Sequence, residues 1–443
     1  MSDINKLFSI LAEHEHKFHR SFSLIPSENT ISPVARLAFL SDGFSRYFFD
    51  EKEVFGRWSF QGGSIVGQIQ QSILMPLLQR SGKAKYVDVH GNSGLTGMTL
   101  ALHAFGGRAG GSIISVAAQN GGHPDTRYVA ERLGLVVHAL PFADWTTVDL
   151  EALATLVESE APSLIYIDHA TCLYPMNLKE VIATVRRAAV KPIHVHVDTS
   201  HVNGLVWGGQ IPNPLECGAD TYGGSTHKTF PGPHKAVLFT NDPEVAERLT
   251  LTAVNTISHH HMSSVIALAI AMLEFDTCGG AHYAAQTLAN AKAFARSLAE
   301  QGFNVQGRPP NYTESHQVWI GPPEGSTEHD ASSLLFDAGL VVNPYNPLPS
   351  LGSGGIRMGV NEVTRLGLKE TDMATLAGFV RPILSGGDEA ASAARRVAEL
   401  RRSFKLEYCF DQASFQRHVS QFCASRECSA QDRLSALADV LYG

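Results

Sequence analysis

The chain has 443 residues, 44% apolar and 18% charged, with a formal net charge of −8. That balance is ordinary for a soluble globular protein of two or three domains, and it offers no basic face for nucleic acid. Apolar runs such as Val265 to Leu273 fall short of the ~20 residues a bilayer span needs, and the first twenty residues lack a basic start and an apolar secretory core, so a cytoplasmic protein with no nucleic-acid or membrane partner is expected.

Residues 1–63 open with a polar helix pattern and then turn irregular, which predicts an N-terminal arm. From residue 64 the pattern alternates. Helix-like QIQQSILMPLLQRSG leads to strand-like AKYVDVH, TGMTLALHAFGG to SIISVAA, ERLG to LVVHALPF, LEALATLVESEAP to SLIYID, and VIATVRRAA to PIHVHVD. Short β-rich runs separated by helices predict an α/β domain over 64–283 with a mostly parallel, buried sheet. Residues 284–443 read as a smaller α+β domain: helix AAQTLANAKAFARSLAEQG, strands FNVQG and HQVWIG, helix ASSLLFDAG, strands LVVN and GIRMGV, then mostly helices. SGGDEAASAARR is expected to be a flexible joint before the last of these. The six cysteines follow no zinc-ligand spacing and read as free thiols.

In an open parallel sheet, ligands bind beyond the carboxyl ends of the strands, so the chemistry is sought after YVDVH, ISVAA, LIYID, HVHVD and the strand near Thr221. The segment GADTYGGSTHKTFPGPHK places Lys228 behind Gly223, Gly224, Ser225, Thr226 and His227. A nucleotide phosphate loop would need glycine directly before the lysine and a helix after it. Here His227 precedes the lysine, and Pro231 and Pro233 follow. A lysine holding pyridoxal 5'-phosphate (PLP) explains more. That cofactor needs an amine and an acidic partner for its pyridine nitrogen, and Asp198 closes HVHVD thirty residues earlier. Gly91, Asn92 and Ser93 stand at a strand-to-helix turn suited to phosphate. His123, after SIISVAA, is placed to stack on the ring, and Arg357 in GGIRMGV is suited to an amino-acid carboxylate. Taken singly, these residues read as a helix cap, a turn, a turn histidine and a surface arginine. Their combination favours the cofactor.

The motifs LIPSENTISPVA (24–35), HGNSG, GGH (121–123), DTSHVNGLVWGG (198–209), STHKTFPGP (225–233) and GIRMGVNEVTRLGLKE (355–370) resemble serine hydroxymethyltransferase and its relatives, in order, from about residue 20 to about 380. The resemblance implies a fold-type-I PLP enzyme that is a homodimer with interface active sites and cleaves the Cα–Cβ bond of β-hydroxy amino acids. It implies that Lys228 forms the Schiff base, Asp198 binds the pyridine nitrogen, His123 stacks on the ring, and Asn92 and Ser93 bind phosphate. It further implies that His201 lies near the phenolic oxygen, His227 near phosphate and substrate, Arg357 on the carboxylate, and Ser27 and Tyr47 near the substrate, Tyr47 from the partner subunit. Thr171 is a further candidate for the phenolic oxygen. No metal is expected: the consecutive His259, His260 and His261 diverge on a helix, and His194 and His196 read as second-layer partners of Asp198 or as satisfied core histidines.

The departures from that family bear on the reaction. Its folate-using members carry Tyr-Ala-Glu-Gly after the arm, where this chain has Tyr47-Phe48-Phe49-Asp50. Phe49 stands at the glutamate, although a one-residue shift offers Asp50. The usual Arg-Gly-Pro-Arg-Gly-Gly reads Pro231-Gly232-Pro233-His234-Lys235-Ala236, and the segment before Arg357 is short. These changes resemble the L-threonine transaldolases. They imply a folate-independent exchange of aldehydes, in which L-threonine releases acetaldehyde and the remaining glycyl unit adds to another aldehyde. The alternatives are a tetrahydrofolate-dependent hydroxymethyltransferase, a threonine aldolase, or a non-catalytic relative of the fold. The last has no need to keep Lys228, Asp198 and Arg357 together.

Overall fold

The computed structural model describes residues 3–49, 56–58, 60–168 and 170–424, without the side chains of 422–424. The polar pattern at the start forms the helix Asp3–Phe18, none of whose side chains is buried, and the two-residue strand β1 (Phe22–Ser23) follows. Contacts divide the chain into one unit of residues 1–28 with 286–407 and another of 29–285 with 408–443. The expected arm is thus shared between the units at Glu28, and the residues from Tyr408 group with the sheet unit.

In that unit the β-rich runs become β2 (Tyr86–Asp88), β3 (Ser112–Ser115), β4 (Val136–Ala139), β5 (Leu164–Asp168), β6 (His194–Asp198), β7 (Thr221–Ser225) and β8 (Ala236–Thr240). They form one sheet in the order β2-β8-β7-β6-β5-β3-β4. Only β8 runs against the rest, so the sheet is mostly parallel, as the alternating pattern predicts. β8 was not anticipated. It follows β7 through a proline-rich loop with no intervening helix, and so short an apolar run carries no periodicity of its own. β5, β7 and β8 are buried at every position, the mark of strands covered on both faces. Leu100, Phe105, Ile113, Leu164, Tyr166, Leu238 and Leu249 share one core, and burying each such side chain contributes about 1.5–3 kcal/mol. The helix Gly94–Phe105 lies close on β8: a Cβ added at Gly97 would meet that of Ala236 at 2.7 Å.

The other unit is α+β. β9 (Gln317–Ile320), β11 (Asn343–Leu348) and β12 (Ser353–Gly359) form an antiparallel sheet in the order β11-β12-β9, and β1 pairs in parallel with β10 (Leu340–Val341). FNVQG supplies only an isolated bridge, Val305 to Ile320. Phe294, Leu298, Leu335, Ile356, Met358, Leu376 and Val397 are central to its core. The expected flexible joint is instead the start of the helix Gly387–Arg402. Its alanines are strong helix formers, and Ala393, Val397 and Ala398 are buried along one side. Among the described residues, no single helix is long and apolar enough to cross a membrane.

Candidate active site

Beyond the carboxyl ends of β5, β6 and β7 lies a cavity of about 260 Å3, bordered by Ser93, His123, Asp198, His201, His227 and Lys228 among others. Six residues named from the sequence are therefore brought to one place. Parallel pairing sets the floor: Asp168 is in register with Asp198, and Asp198 with Gly223. Gly223 and Gly224 have φ of +147° and +140°, and a Cβ on Gly224 would lie 2.2 Å from Ser200 Oγ and 2.7 Å from Asp198 Oδ1. Only glycine lets β7 pass this close to the carboxylate.

Asp198 Oδ2 accepts from Tyr166 Oη at 2.7 Å, and Oδ1 accepts from Ser200 N at 2.8 Å. Burial, and then the charges of Asp198 and Asp168, hold the Tyr166 hydroxyl well above the usual phenol range, so Tyr166 stays a donor to Asp198. Behind them, His194 Nε2 and His196 Nδ1 meet Thr221 Oγ1 at 2.9 and 2.8 Å. Burial lowers their pKa values to about 2 and about 4. They are neutral, hydrogen-bonded core histidines.

Opposite stands the start of the helix Gly94–Phe105. Ser93 is its N-cap, and Ser93 Oγ accepts from Thr96 N at 3.1 Å. First-turn N–H groups and the helix dipole favour an anion there. Gly94 permits close approach, since an added Cβ would lie 3.0 Å from that of Ser225. Ser225 Oγ and His227 Nδ1 are buried without a hydrogen-bond partner among the described residues, a costly state that a bound acceptor or donor would relieve. The His227 ring stacks on His234 at 3.9 Å. Burial first, then His234 and Lys228, lowers its pKa to about 3. The loop carrying the lysine is held by its backbone: Asn29 Nδ2 donates to Lys228 O at 2.6 Å, and Thr229 Oγ1 to His201 O at 2.9 Å. An amine, a buried carboxylate and an anion-binding helix start around one cavity fit an aldehyde cofactor bearing a phosphate.

His123 caps the helix Pro124–Arg132 with its ring, Nδ1 accepting from Asp125 N at 3.2 Å. Its own N–H donates to Asp168 Oδ1 at 2.8 Å. Asp168, Ser200, Ser225 and His234 border the cavity without having been singled out as site residues. A signal existed for Asp168, which ends the strand LIYID at the expected edge of the sheet. Ser225 and His234 lie inside motifs quoted for other residues.

The remaining candidates are not among the residues that border this cavity. Asn92 is not among the residues bordering the cavity, and its Nδ2 donates to His259 O at 2.8 Å. Thr171 is buried beside the cavity's residues in sequence but does not border it, and its N–H donates to Gly121 O. Tyr47, 41% exposed, donates from its hydroxyl to Ser258 O and stacks on His259. Phe49 is only 7% exposed and packs against the rings of His90 and His260 at 5.1 and 5.7 Å, while Asp50 lies outside the described residues. The three consecutive histidines lie not on a helix, as expected, but in the loop before the helix Met262–Thr277: His259 meets Phe48, His260 meets Gln70, and His261 caps that helix, with the His259 and His261 rings 5.8 Å apart. In the other unit, Ser27 is half-buried after β1. Arg357 is no surface arginine. It is 6% exposed on β12, where its Nε and Nη2 donate to Asn343 Oδ1 at 3.1 and 2.8 Å and its guanidinium lies 4.4 Å from the Tyr345 ring centre.

Comparison with known proteins finds relatives that cover about nine-tenths of this chain. A family model described as serine hydroxymethyltransferase matches residues 1–380. An L-threonine:uridine-5'-aldehyde transaldolase from Amycolatopsis sp is 36% identical over 403 residues, covering 90% of this chain and 97% of that one. The serine hydroxymethyltransferase of Korarchaeum cryptofilum is 32% identical over 427 residues, covering 91% and 96%. The crystal structure of L-threonine transaldolase from Pseudomonas fluorescens, solved in its internal aldimine state, superposes with a TM-score of 0.84 at 27% identity, covering 93% and 94%.

Proposed function

The chain belongs to the serine hydroxymethyltransferase family, the PLP-dependent enzymes of fold type I, and from that premise we propose that it is a folate-independent L-threonine transaldolase. The observation that carries the choice within the family is Phe49. An apolar ring packed against His90 and His260 stands where the folate-using members are expected to hold a carboxylate. Relatives named L-threonine:uridine-5'-aldehyde transaldolases, 36% identical over most of their length, support the same choice.

When bound, PLP supplies an electron sink for the pair left at Cα as the Cα–Cβ bond breaks. The chain's part is to hold, orient and move protons. Lys228 provides the tethering amine. Asp198, held by Tyr166 and the Ser200 amide, would face the pyridine nitrogen and stabilise positive charge there. The Ser93–Leu95 helix start, Ser225 Oγ and His227 Nδ1 would hold the phosphate, and His123 would lie against the ring. Arg357, its guanidinium set by Asn343, binds the substrate carboxylate. As acetaldehyde leaves, its former β-hydroxyl oxygen must give up a proton. A water takes it, or His123 Nδ1 once it releases the Asp125 amide, because that bond leaves the neutral ring's own proton on Nε2. The second aldehyde's carbon then bonds to Cα, and its oxygen takes a proton back.

This reading includes a cytoplasmic homodimer that takes amino-acid and aldehyde substrates. Ile4, Leu7, Phe8 and Leu11 of the first helix are all about half exposed, an apolar face suited to a second copy. Tyr47 is read as a contribution to the partner's site. The deciding experiment incubates the protein with L-threonine and a panel of aldehydes and seeks new β-hydroxy-α-amino acids by mass spectrometry. Rapid tetrahydrofolate-dependent conversion of serine to glycine, with no aldehyde exchange, would assign the chain to the folate-using branch instead.

A further inference from the structure

One cavity-lining carboxyl has no part in the chemistry above. Asp168 ends β5 beside Asp198 on β6 and is 4% exposed. Both its oxygens are engaged: Oδ1 accepts from His123 N at 2.8 Å, and Oδ2 from Thr126 Oγ1 at 2.9 Å. These two donors belong to the cap and first turn of the helix Pro124–Arg132. We infer that Asp168 is a positioning residue, which fixes the His123 cap against the end of the sheet and so sets the distance between His123 and Asp198 across the cofactor cavity. This rests on the reading of the cavity as the PLP site.

The argument is geometric. The Gly121–His123 loop has backbone bonds from Gly121 N to Ala118 O, Gly122 N to Ala117 O and Thr171 N to Gly121 O, and His123 O accepts from Thr126 N. The first three act on the glycines, and the last lies within the helix that His123 caps. Pro124 follows at the first helical position and has no N–H to offer. The His123 N–H is therefore the donor that locates the imidazole's own residue, and its acceptor is a side chain rooted in the strand beside Asp198. Thr126, fully buried, adds a second point and fixes the rotation of the carboxyl group. Placing a second acid beside Asp198 is costly in a buried setting. Burial, then Asp198, raises its pKa to about 7. An ordinary turn would manage with a water or a neutral cap, so the cost fits a site whose geometry must be held.

The test uses the PLP-loaded enzyme and three variants, with far-UV circular dichroism to follow folding. Asp168→Ala should shift the cofactor's visible absorption, weaken cofactor binding at least tenfold and lower kcat about 10–100-fold, with a smaller effect on KM for L-threonine. Asp168→Asn retains an oxygen acceptor for His123 N and should return all three readouts to within about threefold of the parent. Thr126→Val, which keeps the carboxylate, should reproduce the Asp168→Ala effects at reduced size, and it decides the matter if Asp168→Ala does not fold. An unchanged spectrum and kcat in folded Asp168→Ala, or in Thr126→Val should the alanine variant not fold, would overturn the inference. So would an Asp168→Asn as damaged as the alanine, since the charge and not the clamp would then be what counts. Failure of the cofactor reading itself shows separately, as a Lys228→Ala protein that borohydride still labels at the original site.

Discussion

Asp168 and Asp198 occupy the same register position on neighbouring parallel strands, so two buried carboxyl groups end side by side at the floor of one cavity. Asp198 is served by Tyr166 and the Ser200 amide, Asp168 by Thr126 and the His123 amide. Their different partners suit them to different roles, one toward the ring nitrogen and the other toward the loop that carries His123.

That pair makes stability depend on pH. The pKa of Asp168 rises on folding to about 7, so the native state keeps a proton that the unfolded chain releases near pH 4. Its favourable contribution is complete below about pH 4 and is lost as pH climbs through 7. Asp168→Asn should therefore gain melting temperature relative to the parent on going from pH 5 to pH 8. Equal melting-temperature differences at the two pH values would contradict the raised pKa.

Lys228→Ala should abolish the yellow colour of the purified protein and its labelling by borohydride. Reduction of the parent, followed by peptide mapping, should place the cofactor on Lys228 alone.

Asp198→Asn should keep cofactor binding, because the amide still accepts from Tyr166, yet lower kcat by about 100-fold or more, since a neutral partner no longer stabilises positive charge at the ring nitrogen. Comparable kcat values by steady-state assay with L-threonine would remove Asp198 from that role.

Arg357→Lys should reduce kcat/KM for the amino acid by roughly 10–150-fold, since a point charge replaces a planar two-pronged donor. Asn343→Ala should lower kcat/KM in the same direction but by less, because Asn343 orients the guanidinium without touching the substrate. An unaltered kcat/KM in Arg357→Lys would exclude the residue from carboxylate binding.

Tetrahydrofolate should neither bind nor accelerate any reaction of the parent. Phe49→Glu should not create folate dependence and should destabilise the protein, because it buries a carboxylate among aromatic rings. Calorimetric titration and thermal melting check the two halves of this expectation.

The sequence by itself determined the α/β class, six of the seven strands of the main sheet, and a line of strand ends carrying Asp198 and the Lys228 loop. These were legible because covalent order and hydrophobic period encode them: a strand ending in aspartate, glycines before a lysine, and a Ser cap at a helix start are local patterns. β8 escaped because a short apolar run lacks a period, and the joint predicted at 385–396 proved helical because packing of Ala393 and Val397 outweighed the local glycines. Only the tertiary structure decided that Asp168 stands beside Asp198, that Ser225 and His227 border the cavity with Ser225 Oγ and His227 Nδ1 buried, that Asn92 Nδ2 donates to His259 O and the Thr171 N–H to Gly121 O, and that Phe49 packs against His90 and His260. Each depends on strand register or on contacts between residues far apart in the chain. Those are set by how side chains pack in three dimensions, which no local run of residues specifies.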